Sequence, residues 1–146
     1  VSLLLLDLDQ FKNINDEFGH VAGDAVLVTF CSITTAQLRP GDLFGRIGGE
    51  EFACLLVGAS AEDAVIVAER IRFAFEAAEH ASGQHSFGAT VSVGLAAGSN
   101  EHPDLPSLLL SADRALYRAK KDGRNRVVEE EPARGAQQPM FGTRRG

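Results

Sequence analysis

Two acidic pairs occupy places in the sequence where a fold could use them for chemistry. Glu50 and Glu51 follow Gly48-Gly49 between two apolar runs, a pattern that predicts a β-hairpin because glycine accepts the positive φ of tight turns. Asp7 and Asp9 end an aliphatic run that predicts a buried strand, and their spacing of two puts them on one side of it. Adjacent carboxylates repel unless a cation or a donor lies between them. The alternatives are an acidic solvent-exposed turn and, for Asp7, a carboxylate that only caps a backbone N–H.

Composition places the chain among single globular domains. Its 146 residues are 45% hydrophobic and 23% charged, which suffices to bury one core without disulfides or a structural metal. The net charge of −6 argues against broad nucleic-acid binding. No apolar run approaches the roughly 20 residues of a membrane helix, so we expect no membrane contact by this domain and a cytoplasmic location. Cys31 and Cys54 lie in apolar stretches and match no zinc spacing, which predicts reduced core thiols.

The hydrophobic pattern predicts the order strand, helix, helix, strand, strand, helix, strand, helix, strand. Hairpins combined with helical crossovers indicate an α+β fold, in which helices pack on a mixed sheet. We expect both acidic features at the ends of strands that are neighbours in this sheet.

Four finer expectations concern segments between and within these elements. Residues 20–24 are predicted to be a loop in which Asp24 caps the following helix. Residues 81–86 are predicted to be a polar loop, and residues 90–96 a strand buried on one face. The folded domain is expected to span 1–128, with 129–146 as a disordered tail because its composition cannot bury a core.

Five motifs in the same order resemble those of the GGDEF family of diguanylate cyclases, and the resemblance extends to about Val128. It implies a ferredoxin-like, nucleotidyl-cyclase-like fold with the Gly-Gly-Glu-Glu-Phe signature on a central β-hairpin. It also implies the condensation of two GTP molecules into cyclic di-GMP, with release of two pyrophosphates. The motifs are Asp7-Leu8-Asp9-Gln10-Phe11-Lys12-Asn13-Ile14-Asn15-Asp16, Gly19-His20, Gly23-Asp24, Gly48-Gly49-Glu50-Glu51-Phe52, and Tyr117-Arg118-Ala119-Lys120 followed by Gly123-Arg124-Asn125.

For the reaction centre, hard oxygen ligands suit Mg²⁺, with Mn²⁺ as the alternative ion. Asp7 and Glu50 fit this role, and the resemblance adds the Leu8 carbonyl. Glu50 is also the candidate general base, and Glu51 would support the metal or its waters. Lys12 is assigned to transition-state charge. Asp9 is expected only to fix the following turn.

For the substrate, the resemblance implies that Asp24 and Asn15 recognise guanine, with His20 near the same pocket. A carboxylate can accept from both donors of the guanine edge, and an amide can donate to O6. Lys120 and Arg124 are the phosphate candidates. The alternatives are a helix cap for Asp24, a helix-end residue for Asn15, and ordinary surface cations for the other two.

A second site is expected at Arg39-Pro40-Gly41-Asp42, five residues before the glycine pair. This Arg-x-x-Asp pattern resembles the product-inhibition site of the family, where cyclic di-GMP binds. Arg70 would contribute from another domain. A salt bridge that ends a helix is the alternative, because four-residue patterns often occur by chance.

The product joins two GTP molecules while one domain binds one, so catalysis implies a homodimer about a two-fold axis. The chain starts at Val1 and lacks the helical segment with which family domains begin, so it is expected to be a piece of a longer protein with an upstream sensor domain. Two rival hypotheses remain open. One is an idle domain that serves as a cyclic di-GMP receptor, and the other is a cyclase with a different nucleotide product.

Overall fold

The computed structural model describes residues 1–98 and 104–130. The predicted strands and helices are all present in the predicted order, and one further hairpin is added. The elements are β1 (Ser2–Leu8), α1 (Phe11–Phe18), α2 (His20–Gln37), β2 (Leu43–Gly48), β3 (Glu51–Leu56), α3 (Ala61–Ala77), β4 (His80–Ser82), β5 (His85–Phe87), β6 (Val91–Ala97), α4 (Leu105–Lys121) and β7 (Val127–Glu129).

The main sheet has the strand order β2-β3-β1-β6-β7. The central strand β1 is antiparallel to both of its neighbours, β3 and β6, whereas β7 is parallel to β6. A parallel neighbour requires a crossover, and α4 provides it between β6 and β7. The prediction of a mixed sheet in an α+β fold is therefore confirmed.

Strand β1 is buried on both faces because helices cover the sheet on both sides. Leu4 and Leu6 belong to the larger core with Phe30 of α2 and Phe75 of α3. On the opposite face, Leu3 and Leu5 belong to a smaller cluster with Leu108, Ala112 and Leu116 of α4. The period of two in a strand sends alternate leucines to the two cores, which explains the unbroken aliphatic run.

Helix α4 lies unusually close to strand β6. Gly94 has no side chain, and a Cβ built at this position would overlap the backbone of Ala112 and Leu116. The contact of helix backbone with strand backbone therefore requires glycine at this position.

Two of the finer predictions are wrong about local structure. Helix α2 already begins at His20, with Gly19 as its N-cap, so residues 20–24 are helical and Asp24 does not cap the helix. Strand β6 is buried on both faces rather than one, because it lies between β1 and β7 and contacts both α3 and α4.

The segment predicted to be a polar loop contains the small hairpin β4–β5. Aromatic packing attaches it to the core: Phe87 stacks on Phe18 with ring centroids 4.0 Å apart, and His80 contacts Phe75 edge-on at 5.5 Å. The Phe18–Phe87 contact joins residues distant in sequence, so local polarity could not reveal it.

The structure also describes two residues beyond the predicted boundary at 128. Glu129 belongs to β7, and Glu130 forms ion pairs with Arg114 and Arg118 of α4. The remainder of the expected tail, 131–146, lies outside the described residues.

Both cysteines are free thiols, Cys54 buried and Cys31 half-buried. Burial raises the pKa of Cys54 to about 12, with the Asp42 charge contributing in the same direction. Among the described helices, none is long and apolar enough to cross a membrane.

Candidate active site

The two acidic pairs meet where the end of β1 lies beside the start of β3. Asp7 is directly opposite Glu51 in the β1–β3 register. The backbone N–H of Leu8 donates to the carbonyl of Glu50 at 3.1 Å. The antiparallel pairing thus places the hairpin tip against the acidic strand end, as the sequence predicted.

Negative charge dominates this junction. Asp7 is buried, and the ammonium group of Lys120 donates to its Oδ2 at 2.6 Å. The pKa of Glu51 is raised, first by loss of solvation, then by the negative charge of Asp7 and a hydrogen bond with it, and more weakly by Glu50. Lys120 acts in the opposite direction and lowers that pKa. Asp7 and Glu50 thus both act against the ionised form of Glu51, and a bound cation would relieve this repulsion between carboxylates.

A pocket of about 210 Å³ opens beside these carboxylates. It brings together all the predicted metal ligands and three predicted phosphate-binding or catalytic cations, although they come from β1, α1, the hairpin and the end of α4. Lys12 is highly exposed and forms an ion pair with Asp16 at 3.3 Å. The predicted residues that line the pocket are Asp7, Leu8, Lys12, Glu50, Lys120 and Arg124.

The turn between β1 and α1 adds groups to which the sequence analysis gave no role. Gln10 and Phe11 also line the pocket. Gln10 adopts a left-handed conformation with φ 56° and starts α1 without a side-chain cap. The first N–H groups of a helix lack intrahelical acceptors and favour anions. The helix start therefore complements a phosphate group. The sequence signal for this role was the position of Gln10 and Phe11 between Asp9 and Lys12.

Asp9 also lines the pocket, but its carboxylate accepts hydrogen bonds from other parts of the protein. It accepts from Thr90 Oγ1 at 2.8 Å, from Ser92 Oγ at 2.6 Å and from the backbone N–H of Asn125 at 3.0 Å. These bonds tie the end of β1 to β6 and to the segment after α4. The role of Asp9 is therefore structural, but it is not the one expected, which was to fix the turn that follows β1.

The predicted guanine-binding residues lie on α1 and α2 and do not line this pocket. His20 and Asp24 are exposed, and Asn15 is half-buried. The Asn15 amide lies against the backbone of Gly23, where a Cβ would overlap its Oδ1. Asp24 is left available for a ligand because it does not cap α2.

The three residues of the predicted second site line a separate pocket of about 290 Å³. Asp42 Oδ2 accepts from the backbone N–H of Arg39 at 2.9 Å, and the guanidinium Nε of Arg39 lies 4.0 Å from that oxygen. Arg70 of the same chain lines this pocket. The expectation that an Arg70 contributes from another domain concerns a second molecule and stays a prediction. Helix α2 ends at Gln37. Because Asp42 accepts from the backbone N–H of Arg39, it also stabilises the turn that follows this helix.

Comparison with known protein families shows to which family the chain belongs. The family described as "Diguanylate cyclase, GGDEF domain" matches residues 1–126. The chain belongs to the GGDEF family. The signature of this GGDEF domain is the turn between β2 and β3 with the first residues of β3, and the fold matches that of its solved relatives.

Curated relatives of the GGDEF domain come from distant bacteria. It is 41% identical over 128 residues to Diguanylate cyclase A of Treponema denticola, covering 88% of this chain and 34% of that protein. It is 42% identical over 130 residues to the response regulator PleD of Caulobacter vibrioides, covering 88% and 29%. The chain thus spans about a third of the length of these relatives.

Solved structures show the same fold. The active GGEEF domain of a diguanylate cyclase from Vibrio cholerae is similar with a TM-score of 0.82 at 32% identity, covering 90% of this chain and 83% of that one. The GGDEF domain of DgcB from Caulobacter crescentus, solved in complex with c-di-GMP, has a TM-score of 0.81 at 34% identity, covering 88% and 76%.

The donor set in the GGDEF domain fits a hard divalent ion that retains water. Within residues 1–98 and 104–130, no group of three or more His, Cys, Asp or Glu side chains forms a ready metal cage. Mg²⁺ usually takes one or two carboxylates and keeps several waters. Asp7, Glu50 and the Leu8 carbonyl would provide such a set. The pKa of Glu51 is raised first by loss of solvation and then by the charge of Asp7, and a cation would offset the second of these effects.

Proposed function

We propose that this domain is a diguanylate cyclase that joins two GTP molecules into cyclic di-GMP and releases two pyrophosphates. The observation that carries the proposal is the pocket where Asp7 and Glu50 lie with Lys12, Lys120 and Arg124. Carboxylates for a metal beside cations for phosphates are what attack of a 3′-hydroxyl on an α-phosphate requires.

At the reaction centre, Asp7, Glu50 and the Leu8 carbonyl would hold Mg²⁺ or Mn²⁺. The ion would supply charge neutralisation on the phosphates. Glu50 is the proposed acceptor of the 3′-hydroxyl proton, because it lines the pocket at the hairpin tip. Glu51 supports the metal or its waters, and Lys12 stabilises charge that develops on the transferred phosphate.

Guanine selection is assigned to Asp24 and Asn15, with His20 beside them. The exposed carboxylate of Asp24 can accept from both N1–H and the amino group of guanine. Adenine presents one donor and one acceptor on that edge, so a carboxylate pairs with it poorly. Lys120 and Arg124 bind the phosphates.

The proposed active form is a homodimer. One pocket binds one GTP, so the 3′-hydroxyl in each domain must face the α-phosphate in its partner. We also propose a cytoplasmic location, where GTP is available and free cysteines stay reduced, and an upstream sensor domain in the full-length protein.

Product inhibition is proposed at the pocket of Arg39, Asp42 and Arg70. Two guanidinium groups line it beside the carboxylates of Asp42 and Asp63, a set suited to the phosphates and guanine edge of cyclic di-GMP. Product held there would favour a domain arrangement in which two GTP sites cannot meet, so it inhibits by binding the unproductive arrangement better.

The central experiment incubates the protein with GTP and Mg²⁺ over a range of protein concentrations and separates the products by chromatography. Cyclic di-GMP should form, with a specific rate that rises with protein concentration. Glu50→Ala should abolish turnover, and Glu79→Ala, an exposed glutamate outside both pockets, should not. Unchanged turnover in Glu50→Ala would contradict the catalytic assignment.

A second experiment separates the two pockets. Arg39→Ala should lose product inhibition and keep its initial rate, whereas Glu50→Ala should still bind cyclic di-GMP in calorimetric titration. If Arg39→Ala binds product like the wild type, the Arg-x-x-Asp assignment fails.

Binding of cyclic di-GMP as a receptor is the second candidate function. It is favoured by the separation of the two pockets, because the second pocket could bind cyclic di-GMP without the catalytic residues. Asp7 and Glu50 line one pocket, and Arg39 and Asp42 line the other. Cyclic di-GMP binding without any product from GTP at high protein concentration would select it over the cyclase.

A further inference from the structure

A hydrogen-bond network connects α3 to the segment that carries Arg124. The guanidinium group of Arg72 donates to the side-chain oxygen of Asn125 at 2.9 Å, to Glu69 at 2.6 Å and to Glu76 at 3.1 Å. The amide nitrogen of Asn125 donates back to the second oxygen of Glu76 at 2.8 Å. Asn125 is therefore held on both sides of its amide by one turn of α3.

The backbone at this segment needs such support. Gly123, Arg124 and Asn125 all have positive φ, at 125°, 64° and 48°. Left-handed backbone is unfavourable for a residue with a Cβ, and asparagine tolerates it better than arginine. It persists where the surroundings fix it, and here Asn125 also donates its backbone N–H to Asp9 at 3.0 Å.

We propose that Arg72 and Asn125 are positioning residues that fix Arg124 in the active-site pocket. Arg124 lines that pocket and directly precedes Asn125, so holding Asn125 in its left-handed conformation sets the direction in which the Arg124 side chain leaves the backbone. This inference rests on the proposed role of Arg124 as a phosphate ligand.

The charge of Arg72 supports this function. The hydrogen bond to Glu69 is the largest of the effects that raise the pKa of Arg72, so the guanidinium group keeps its positive charge. A planar guanidinium with several donors can reach Glu69, Glu76 and Asn125 at once, which lysine cannot do.

The test measures binding of two probes, GTP and guanosine, to Arg72→Gln and Asn125→Gly. Asn125→Gly keeps access to positive φ and the backbone N–H while removing the amide bridge. Both variants should bind GTP about tenfold more weakly, the loss expected when a charged hydrogen bond is misplaced. Both should bind guanosine like the wild type, since it lacks phosphates.

Arg114→Gln is the matched control. Arg114 also lies on a helix and pairs with a glutamate, but that partner is Glu130 and not a residue of the 123–125 segment. Its affinity for GTP should stay at the wild-type value. In an Arg124→Ala background, Arg72→Gln should weaken GTP binding no further, because the residue it positions is gone.

Wild-type GTP affinity in both Arg72→Gln and Asn125→Gly would overturn the proposal. An equal loss for guanosine, or a full additional loss in the Arg124→Ala background, would also overturn it and indicate a general structural effect. Formation of cyclic di-GMP by the wild-type protein is assayed in parallel. Its absence would contradict the cyclase function but leave the GTP-binding comparison as a valid test.

Discussion

The ammonium group of Lys120 lies 2.6 Å from Oδ2 of Asp7, across 113 residues of sequence. Asp7 is a proposed metal ligand and Lys120 a proposed phosphate ligand. In the free domain the lysine therefore occupies the carboxylate that a metal would use. We expect binding of metal and GTP to separate this pair and to give each group its own partner.

Replacement of this lysine should have opposite effects on metal and substrate. In Lys120→Gln, Mg²⁺ should bind the nucleotide-free domain more tightly because the competing ammonium is absent, and GTP should bind several-fold more weakly. The pKa of Glu51 should rise further, because Lys120 lowers it in the wild type. Carboxylate NMR titrations with protons and Mg²⁺, beside calorimetry with GTP, measure all three. Weaker Mg²⁺ binding in the variant would contradict the competition.

Gly23 offers a test of guanine recognition through Asn15. A Cβ at Gly23 would displace the flexible Asn15 side chain rather than backbone, and alanine in a helix is otherwise favoured over glycine by about 0.5–1 kcal/mol. Gly23→Ala should thus keep or raise the melting temperature while lowering GTP affinity about fivefold, the effect of one lost hydrogen bond. The double variant with Asn15→Ala should bind no more weakly than Asn15→Ala alone. Additive losses would show that Gly23 acts independently of Asn15.

Gly94 should be intolerant of any side chain. Gly94→Ala forces a Cβ into the backbone of α4, and overpacking of this kind typically costs about 1–3 kcal/mol. Urea denaturation should show this loss in the free energy of unfolding. Gly45→Ala is the control, since a Cβ at this strand glycine meets nothing within 4 Å. Equal effects in the two variants would contradict the close approach of α4 to β6.

His80 should make stability depend on pH. It is buried between Phe75 and Phe87, its Nε2 has no hydrogen-bond partner among the described residues, and burial lowers its pKa from the ordinary 6.5. The unfolded chain then binds a proton more tightly than the folded one. The free energy of unfolding should therefore be retained above 6.5 and fall as the pH drops through 6.5 towards the folded pKa.

The matching measurement is chemical denaturation at several pH values. His80→Phe should lose much of this dependence, while His85→Gln, at an exposed position, should keep it. A wild-type slope in His80→Phe would assign the pH dependence to other groups.

The sequence predicted those parts of the fold that depend on local pattern. The buried strand β1 and the hairpin at Gly48-Gly49 follow from the aliphatic run and from turn chemistry, and these predictions are confirmed. The burial of β6 on both faces and the β4–β5 hairpin depend on contacts between distant segments, such as Phe18 with Phe87, and the sequence alone could not supply them.

The candidate site divides in the same way. The types of the pocket residues were predictable, and their convergence followed from the pairing of β1 with β3. The Arg72–Asn125 bridge was not predictable, because it joins residues 53 positions apart through side-chain geometry. The roles of the site residues stay predictions until the variants are measured.

Strand β1 is hydrogen-bonded to neighbours on both edges, whereas other parts of the site lie in turns and at helix ends. This difference has a kinetic consequence. Amide hydrogens of such a strand exchange with solvent only through large openings, whereas turns and helix ends open locally. Asp7 lies on this strand, whereas Lys12, Glu50 and Arg124 lie at a helix start, in a hairpin turn and in the segment after α4. We expect these three segments to open more readily than β1. Local fluctuations would therefore break the proposed contacts with the triphosphate while Asp7, the proposed metal ligand, stays in place. The bound nucleotide could then leave without disrupting the acidic part of the site, which stays ready for the next nucleotide.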